Sequence, residues 1–398
     1  MARTLVVCSD GTGNSLHHKA SNVSALIGLL TLDCDRQIAI YDQGIGTAED
    51  PAGAVDWLQS AADRDALLVQ ETAPGTGFRA GWDRLRAQAT GYGLKENVGQ
   101  LYLALAQQYS PGDRVFLFGF SRGAFTVRAL AGLLYRCGLP RPGDDGGVRF
   151  EQAWTVFRQM RPDGRGAARI EALKGLNQNC PVHFLGVWDT VKSYGGLLPV
   201  RLPHLRHNPD VRHVRHALAL DERRAWFTPT TWGGLDVDRE PGRAMSRLDP
   251  EARQRILDQD VLEVWFRGAH SDIGGGGEEH AVTARIALRW MTSEAAAVEG
   301  GLVLAPSGVD LLEDGDPPSP PVVHPSWTPR WRAVEQVPRL EIDNGRLWPA
   351  RVPGWGSTGG RKPALSRREG VVHVHCTAAR HHAVPGPVHL CKTGVPHL

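Results

Sequence analysis

The chain has 398 residues with 45 basic and 43 acidic side chains, a net charge of +2, and enough length to bury a large core without covalent staples. This near-neutral balance, with no basic stripe, excludes nucleic acid as a partner expected from charge and gives no reason to expect an acidic one. The six cysteines, at positions 8, 34, 137, 180, 376 and 391, form no C-x-x-C pair and several lie in apolar runs, so they read as reduced, mostly buried side chains.

The opening Met1-Ala2-Arg3-Thr4 leads directly into the apolar run Leu5 to Cys8, too short for a signal-peptide core, and no window of 18 apolar residues follows anywhere. The expectation is synthesis in the cytoplasm, with no Sec signal and no transmembrane segment. Leu5 to Cys8 reads as a buried strand running into Ser9-Asp10-Gly11-Thr12-Gly13-Asn14, a loop rich in accessible backbone N–H groups. A helix with Val23, Leu26, Ile27 and Leu30 on one face follows, capped by Ser21 or Asn22. Such a loop suits either a phosphate cradle or an oxyanion hole. Neither G-x-x-x-x-G-K-[ST] nor G-x-G-x-x-G is present, and the aspartyl-phosphate reading of Asp10-Gly11-Thr12 lacks its second Asp, where this chain has Cys8.

Gln37 to Tyr41 is a second strand, followed by the loop Asp42 to Thr47. Residues of about 48–92 read as an insertion near the mouth of a site. Glu96 to Tyr109 is helical, stopped by Ser110-Pro111-Gly112-Asp113. Val115 to Phe118 is apolar on both faces and gives way within a few residues to a helical spacing at Phe125, Ala129 and Leu133. Ser121 therefore falls on a strand-to-helix turn, with Gly119 and Gly123 at the two places where such a turn has no room for a side chain. Alternating strands and helices of this kind predict an α/β fold, hydrolase-like, with a mostly parallel central sheet, helices on both faces and cap insertions.

A cap-like stretch is expected over about 138–180, with a helix around Phe150 to Met160. Val182 to Trp188 is a buried strand that delivers Asp189 to its carboxyl end, where open parallel sheets do their chemistry. Residues of about 190–250 read as a further insertion, in which His216 to Arg224 looks helical and carries Asp221. Val261 to Phe266 is a strand ending near His270, and a helix spans about Val282 to Val298. Past the linker Pro317-Pro318-Ser319-Pro320-Pro321, residues 301–398 read as an appendage to a catalytic domain of 1–300, with one strand at Val371 to His375. Its histidines, 373, 375, 381, 382 and 389, lack regular ligand spacing, so no metal and no cofactor are expected.

A serine hydroxyl needs a base, and the base needs a carboxylate to hold its tautomer. Ser121, His270 and Asp189 supply that set in the order Ser, Asp, His, with Asp221 competing for the acid role. Oxyanion donors are expected from the Arg122 backbone and the Gly11-Thr12 loop, with Asp10, Asn14 and Asp272 in support. Segments 48–92 and 190–212, with Trp57, Phe78, Trp82, Tyr194, Arg201 and Arg206, offer the apolar and cationic walls that a lipid ester requires. The rival reading is a protein that binds a phosphate-containing ligand on its Gly-rich loops without hydrolysis.

Four motifs, Asp10-Gly11-Thr12-x-Asn14, Gly119-Phe120-Ser121-Arg122-Gly123-Ala124, Val187-Trp188-Asp189-Thr190-Val191 and His270-Ser271-Asp272-Ile273-Gly274-Gly275-Gly276, resemble those of the DUF2235 family across about residues 4–300. That family is similar to the catalytic domain of the Tle1-type phospholipase effectors of type VI secretion. The resemblance implies an α/β-hydrolase fold, a Ser-Asp-His triad, a lipid or other acyl-ester substrate, peripheral membrane contact and export without a Sec signal.

Overall fold

The structure, a computed structural model, describes residues 2–11, 21–43, 65–70, 92–159, 167–191, 194–195, 198–199, 202–224, 227–232, 249–314, 322–329, 331, 340–343, 346–349, 361, 372–379 and 388–391. In chain order, β1 (Thr4–Ser9), α1 (Asn22–Ile27), β2 (Gln37–Asp42), β3 (Leu67–Gln70) and α2 (Tyr92–Gln108) lead to β4 (Arg114–Phe120) and α3 (Arg122–Cys137). Two helices, α4 (Gly146–Gln159) and α5 (Ala167–Leu176), precede β5 (Val182–Trp188). A two-stranded hairpin, β6 (Tyr194–Gly195) and β7 (Leu198–Pro199), is followed by β8 (Val211–Ala219), α6 (Pro250–Asp258) and β9 (Asp260–Phe266). Then come α7 (His270–Gly274), α8 (Ala281–Ala297) and α9 (Pro306–Glu313). The last described elements are the hairpin of β10 (Leu340–Asp343) and β11 (Arg346–Pro349), then β12 (Val372–His375), α10 (Cys376–Ala379) and β13 (Val388–Cys391).

One nine-stranded sheet runs in the order β13-β12-β9-β8-β5-β4-β1-β2-β3, and every neighbouring pair in it is parallel. This is the expected α/β class. All six residues of β1 are buried, because both faces of the sheet are covered. Leu5 and Val7 pack with Leu101 and Leu105 of α2 and Val127 and Leu130 of α3. Val6 and Cys8 point the other way, into a second cluster with Leu26 and Ile27 of α1 and Trp290 and Met291 of α8. At roughly 1.5–3 kcal/mol per fully buried aliphatic side chain, against about 1–2 kcal/mol to order each backbone residue, burial of Leu5, Val6 and Val7 offsets a large part of the strand's entropy cost. The Ser21 cap is as expected: its Oγ accepts from Val23 N at 3.1 Å and Ser24 N at 3.3 Å, while Ser24 Oγ accepts from Ser21 N at 3.0 Å.

Four readings need correction. His216 to Arg224 is not a helix: residues 211–219 form β8, inserted between β5 and β9. Its polar side chains mimic a helical pattern but are satisfied by neighbouring elements, Arg215 by Glu294 of α8 and by Asp260 of β9, His216 by Glu263 of β9. Two stretches read as insertions thus contribute sheet strands, β8 from 190–250 and β3 from 48–92. Within 138–180, α4 buries Phe150, Ala153, Trp154 and Phe157 in the same core cluster as α2 and α3, so it belongs to the helical layer and not to a lid. Finally, β12 and β13 extend the central sheet beyond β9, so this part of 301–398 is joined to the main fold by backbone hydrogen bonds.

The chain leaves β1 toward β2 on one side and returns as β4 on the other. Where strand order reverses, the loops at the carboxyl ends diverge and leave a crevice. Ser9 and Asp10 lie at the end of β1, and Ser121 at the end of β4.

Candidate active site

Ser121 occupies the sharp turn between β4 and α3 with φ 57° and ψ −115°, a left-handed conformation that is costly for a residue with a side chain. The turn is held because a Cβ on Gly119 would lie 2.7 Å from the Ala124 backbone, and one on Gly123 only 2.0 Å from the Ser9 carbonyl oxygen. These two close approaches let α3 leave directly over the end of β1, with the Ser121 hydroxyl directed at the His270 ring. The Ser121 N–H donates to the Trp188 carbonyl at 3.1 Å, which ties the turn to the end of β5.

Three side chains from three strand ends meet there. His270 Nε2 lies 2.8 Å from Ser121 Oγ, and His270 Nδ1 lies 2.6 Å from Asp189 Oδ2. With the Nδ1 proton donated to Asp189, Nε2 is left to accept from the serine hydroxyl. Asp189 follows β5, is fully buried and has φ 39°. Its Oδ1 accepts from Ala219 N at 3.0 Å and from the Arg361 guanidinium. Burial opposes ionisation of Asp189, but Arg361 and His270 together outweigh it and hold the carboxyl well below the usual carboxylate range. Burial pushes the His270 imidazolium down, the Asp189 interaction opposes that, and the Arg224 charge adds to it; the net shift is downward. A neutral imidazole beside an ionised carboxylate is the state a general base requires.

Asp221 stands elsewhere. Its Oδ2 accepts from Gly268 N at 2.7 Å and its N–H donates to the Gly268 carbonyl at 2.9 Å, closing the turn that leads to His270. The neighbouring Glu222 is buried and accepts from the His270 backbone N–H at 3.2 Å while gripping Arg224 at 2.8 Å. Arg224 in turn lies 3.6 Å over the Phe227 ring, whose edge meets His270 with centroids 4.8 Å apart. Phe120 packs on His270 at 4.6 Å. The imidazole is thus walled by two aromatic rings.

Arg122 begins α3, where backbone N–H groups lack intrahelical acceptors, as an oxyanion donor must. Gly11 differs from expectation: its N–H donates to the Asp10 carboxylate at 2.6 Å. Asp10 also accepts from Ser21 Oγ at 2.7 Å and Tyr41 Oη at 2.9 Å, so it ties Gly11 and the start of α1 to β2. Thr12, Asn14, Trp57, Phe78, Trp82 and Arg201 lie outside the described residues, as do His381 and His382. Of Tyr194 only the backbone is described. Asp272, two residues past His270, is fully buried and faces His280 and His324. Those two histidines, Glu222, Phe227 and Arg361 carry no motif or periodicity in the sequence. A separate cleft lined by Arg3, Tyr109, Pro140 and Gly146 borders the amino ends of β1 and β4, the opposite end of the sheet from Ser121.

The family model for the type VI secretion system phospholipase effector Tle1-like catalytic domain matches residues 3–294. An uncharacterized protein of Saccharomyces cerevisiae is 30% identical over 419 aligned positions, covering 77% of this chain and 58% of that protein. Among solved structures, the chain is similar to an uncharacterized protein from Pseudomonas aeruginosa, with TM-score 0.39 and 19% identity, over 78% of this chain and 49% of that one. It is also similar to the Tle1 effector bound to the VgrG spike of the type 6 secretion system, with TM-score 0.28 and 19% identity, over 69% of this chain and 52% of that one. The chain thus spans about half of each solved chain and 58% of the yeast protein.

Proposed function

The chain belongs to the family of type VI secretion Tle1-like phospholipase effector catalytic domains, and on that premise we propose that it is a serine hydrolase cleaving acyl esters of phospholipids. The observation that carries the ester chemistry is the hydrogen-bonded series from Ser121 through His270 to Asp189, with separations of 2.8 and 2.6 Å. The phospholipid preference rests on family membership.

In this reading Ser121 Oγ attacks the ester carbonyl carbon as its proton passes to His270 Nε2. Asp189 keeps the Nδ1 proton in place and stabilises the imidazolium. The developing oxyanion is met by the Arg122 N–H and a second donor from the loop after β1. Collapse of the tetrahedral species breaks the bond to the lysophospholipid oxygen, which takes the proton from His270. Water, deprotonated by His270, then attacks the acyl-enzyme and releases the fatty acid and free Ser121. Among the described residues no helix is long and apolar enough to cross a membrane, so contact with a bilayer is proposed as peripheral. Export as a type VI effector follows from the family in the same way.

The test is fluorophosphonate labelling of the full chain together with turnover of nitrophenyl esters and phospholipid vesicles. Labelling at Ser121 with release of fatty acid supports the reading. Phosphate-ligand binding without labelling or turnover replaces it with the non-catalytic alternative.

A further inference from the structure

Directly behind the His270 turn, three side chains from separate parts of the chain converge on one point. Asp272 comes from α7, His280 from the short 3₁₀ turn Glu278–His280, and His324 from beyond α9. His280 Nδ1 lies 2.7 Å and His324 Nδ1 2.6 Å from the same oxygen, Asp272 Oδ1. One ligand-capable atom from each residue lies within 4.8 Å of the other two. We propose that Asp272, His280 and His324 form a binding site for a divalent transition-metal ion of the zinc type, which ties the segment carrying His324 to the turn carrying His270.

The donor set selects the class of ion. Two imidazole nitrogens and one carboxylate oxygen suit zinc and its first-row neighbours, whereas calcium and magnesium are held by oxygen ligands alone. The surroundings match what ligating groups need. Asp272 Oδ2 is anchored by backbone N–H groups, Ala269 N at 2.9 Å and His324 N at 3.0 Å, which fixes the carboxylate plane and presents Oδ1 to the two rings. His280 Nε2 faces Glu279 Oε1 at 3.5 Å, the outer carboxylate partner that orients a metal-bound imidazole ligating through its other nitrogen. The two imidazoles meet at 80° with centroids 4.6 Å apart, so their Nδ1 atoms share a focus without the rings stacking. Both histidines are partly exposed, at 16% and 29% of the side chain, which gives an entry path and room for water to complete the coordination.

The competing arrangement is a clamp in which both Nδ1–H groups simply donate to Asp272. Ligand atoms around a tetrahedral zinc ion sit about 3.3 Å apart, so each Nδ1···Oδ1 separation must widen by roughly 0.6 Å to admit the ion. Partly exposed histidine side chains can make that adjustment.

The test is metal analysis of the full chain after removal of metal by a chelator, addition of excess ZnCl2 and desalting, with melting temperature measured alongside. The expected result is about one zinc per chain in the wild type and a melting temperature raised by zinc. His280→Ala and His324→Ala should each lose most of that zinc and its thermal effect, while His183→Ala, on the far part of β5, should keep both. His324→Gln serves if His324→Ala does not fold. Less than stoichiometric zinc in the wild type, or undiminished zinc in the folded His280 and His324 variants, overturns the site and leaves the hydrogen-bonded clamp.

Discussion

Arg361 binds Oδ1 of Asp189 across 172 positions of sequence, while His270 holds the other carboxylate oxygen. The guanidinium also reaches the carbonyl oxygens of Ala219 and Phe227, so it joins the carboxylate to the ends of β8 and of the aromatic wall. Arg361→Ala should lower kcat on a short nitrophenyl ester about tenfold, ~1.4 kcal/mol in the barrier, with little change in KM. Arg361→Lys should recover part of the loss, because it restores the charge without the planar fork. An unchanged kcat in a folded Arg361→Ala protein reduces the contact to a structural one.

Asp189→Asn should cost roughly ~10⁴-fold in turnover, since Asn can hold the wrong imidazole tautomer. Asp221→Asn should act on stability, by about 1–2 kcal/mol, because Asp221 closes the turn with Gly268. Thermal melts and kinetics on both variants check this. A catalytically dead but normally melting Asp221→Asn reverses the assignment.

Ser121→Ala and His270→Ala should lose similar activity, and the double variant little more, because attack and proton transfer are one step. The motivating contact is the 2.8 Å Ser121–His270 hydrogen bond. Losses that multiply would remove His270 from the role of base.

Gly123→Ala should unfold or severely destabilise the protein, by more than about 3 kcal/mol. The new methyl would meet the Ser9 carbonyl oxygen at 2.0 Å, and this contact is backbone, which cannot swing aside. Circular dichroism melts provide the readout, and wild-type stability would show that α3 can move away from β1.

Asp42 is fully buried, and burial pushes its carboxyl up to about 7, against hydrogen bonds from Ser9 and Asn97 that pull it down. An acid with a raised folded-state pKa contributes fully below its unfolded value and loses that contribution as pH rises through the folded one. For Asp42 the window runs from about pH 4 to about pH 7. Asp42→Asn, with its carbonyl in place of the hydrogen-bonded Oδ2, should therefore raise the melting temperature more at pH 8 than at pH 5. Equal shifts at the two pH values would mean that Asp42 does not ionise in this range.

The local sequence was enough to identify β1, β4 and β5, because a strand buried on both faces is a short, nearly continuous apolar run, and β9, whose Val261 to Phe266 is apolar apart from Glu263. The Ser121 turn was legible for a similar reason: glycine at two fixed offsets reports a steric demand within five residues of chain. His270 and Asp189 were legible as strand-end residues, but the choice between Asp189 and Asp221 was not. Both follow strands, and only the sheet order, with β5 beside β4 and β8 one strand further out, brings Asp189 to the imidazole and leaves Asp221 on Gly268. The strand β8 escaped because Arg215 and His216 find their hydrogen-bonding partners on α8 and β9, tens of residues away. Arg361, Glu222 and the Asp272–His280–His324 cluster escaped for the same reason. Apolar burial and backbone sterics impose a period or a spacing on neighbouring residues, whereas a buried hydrogen bond or ion pair needs only a partner in space, and the tertiary fold alone determines which residue that is.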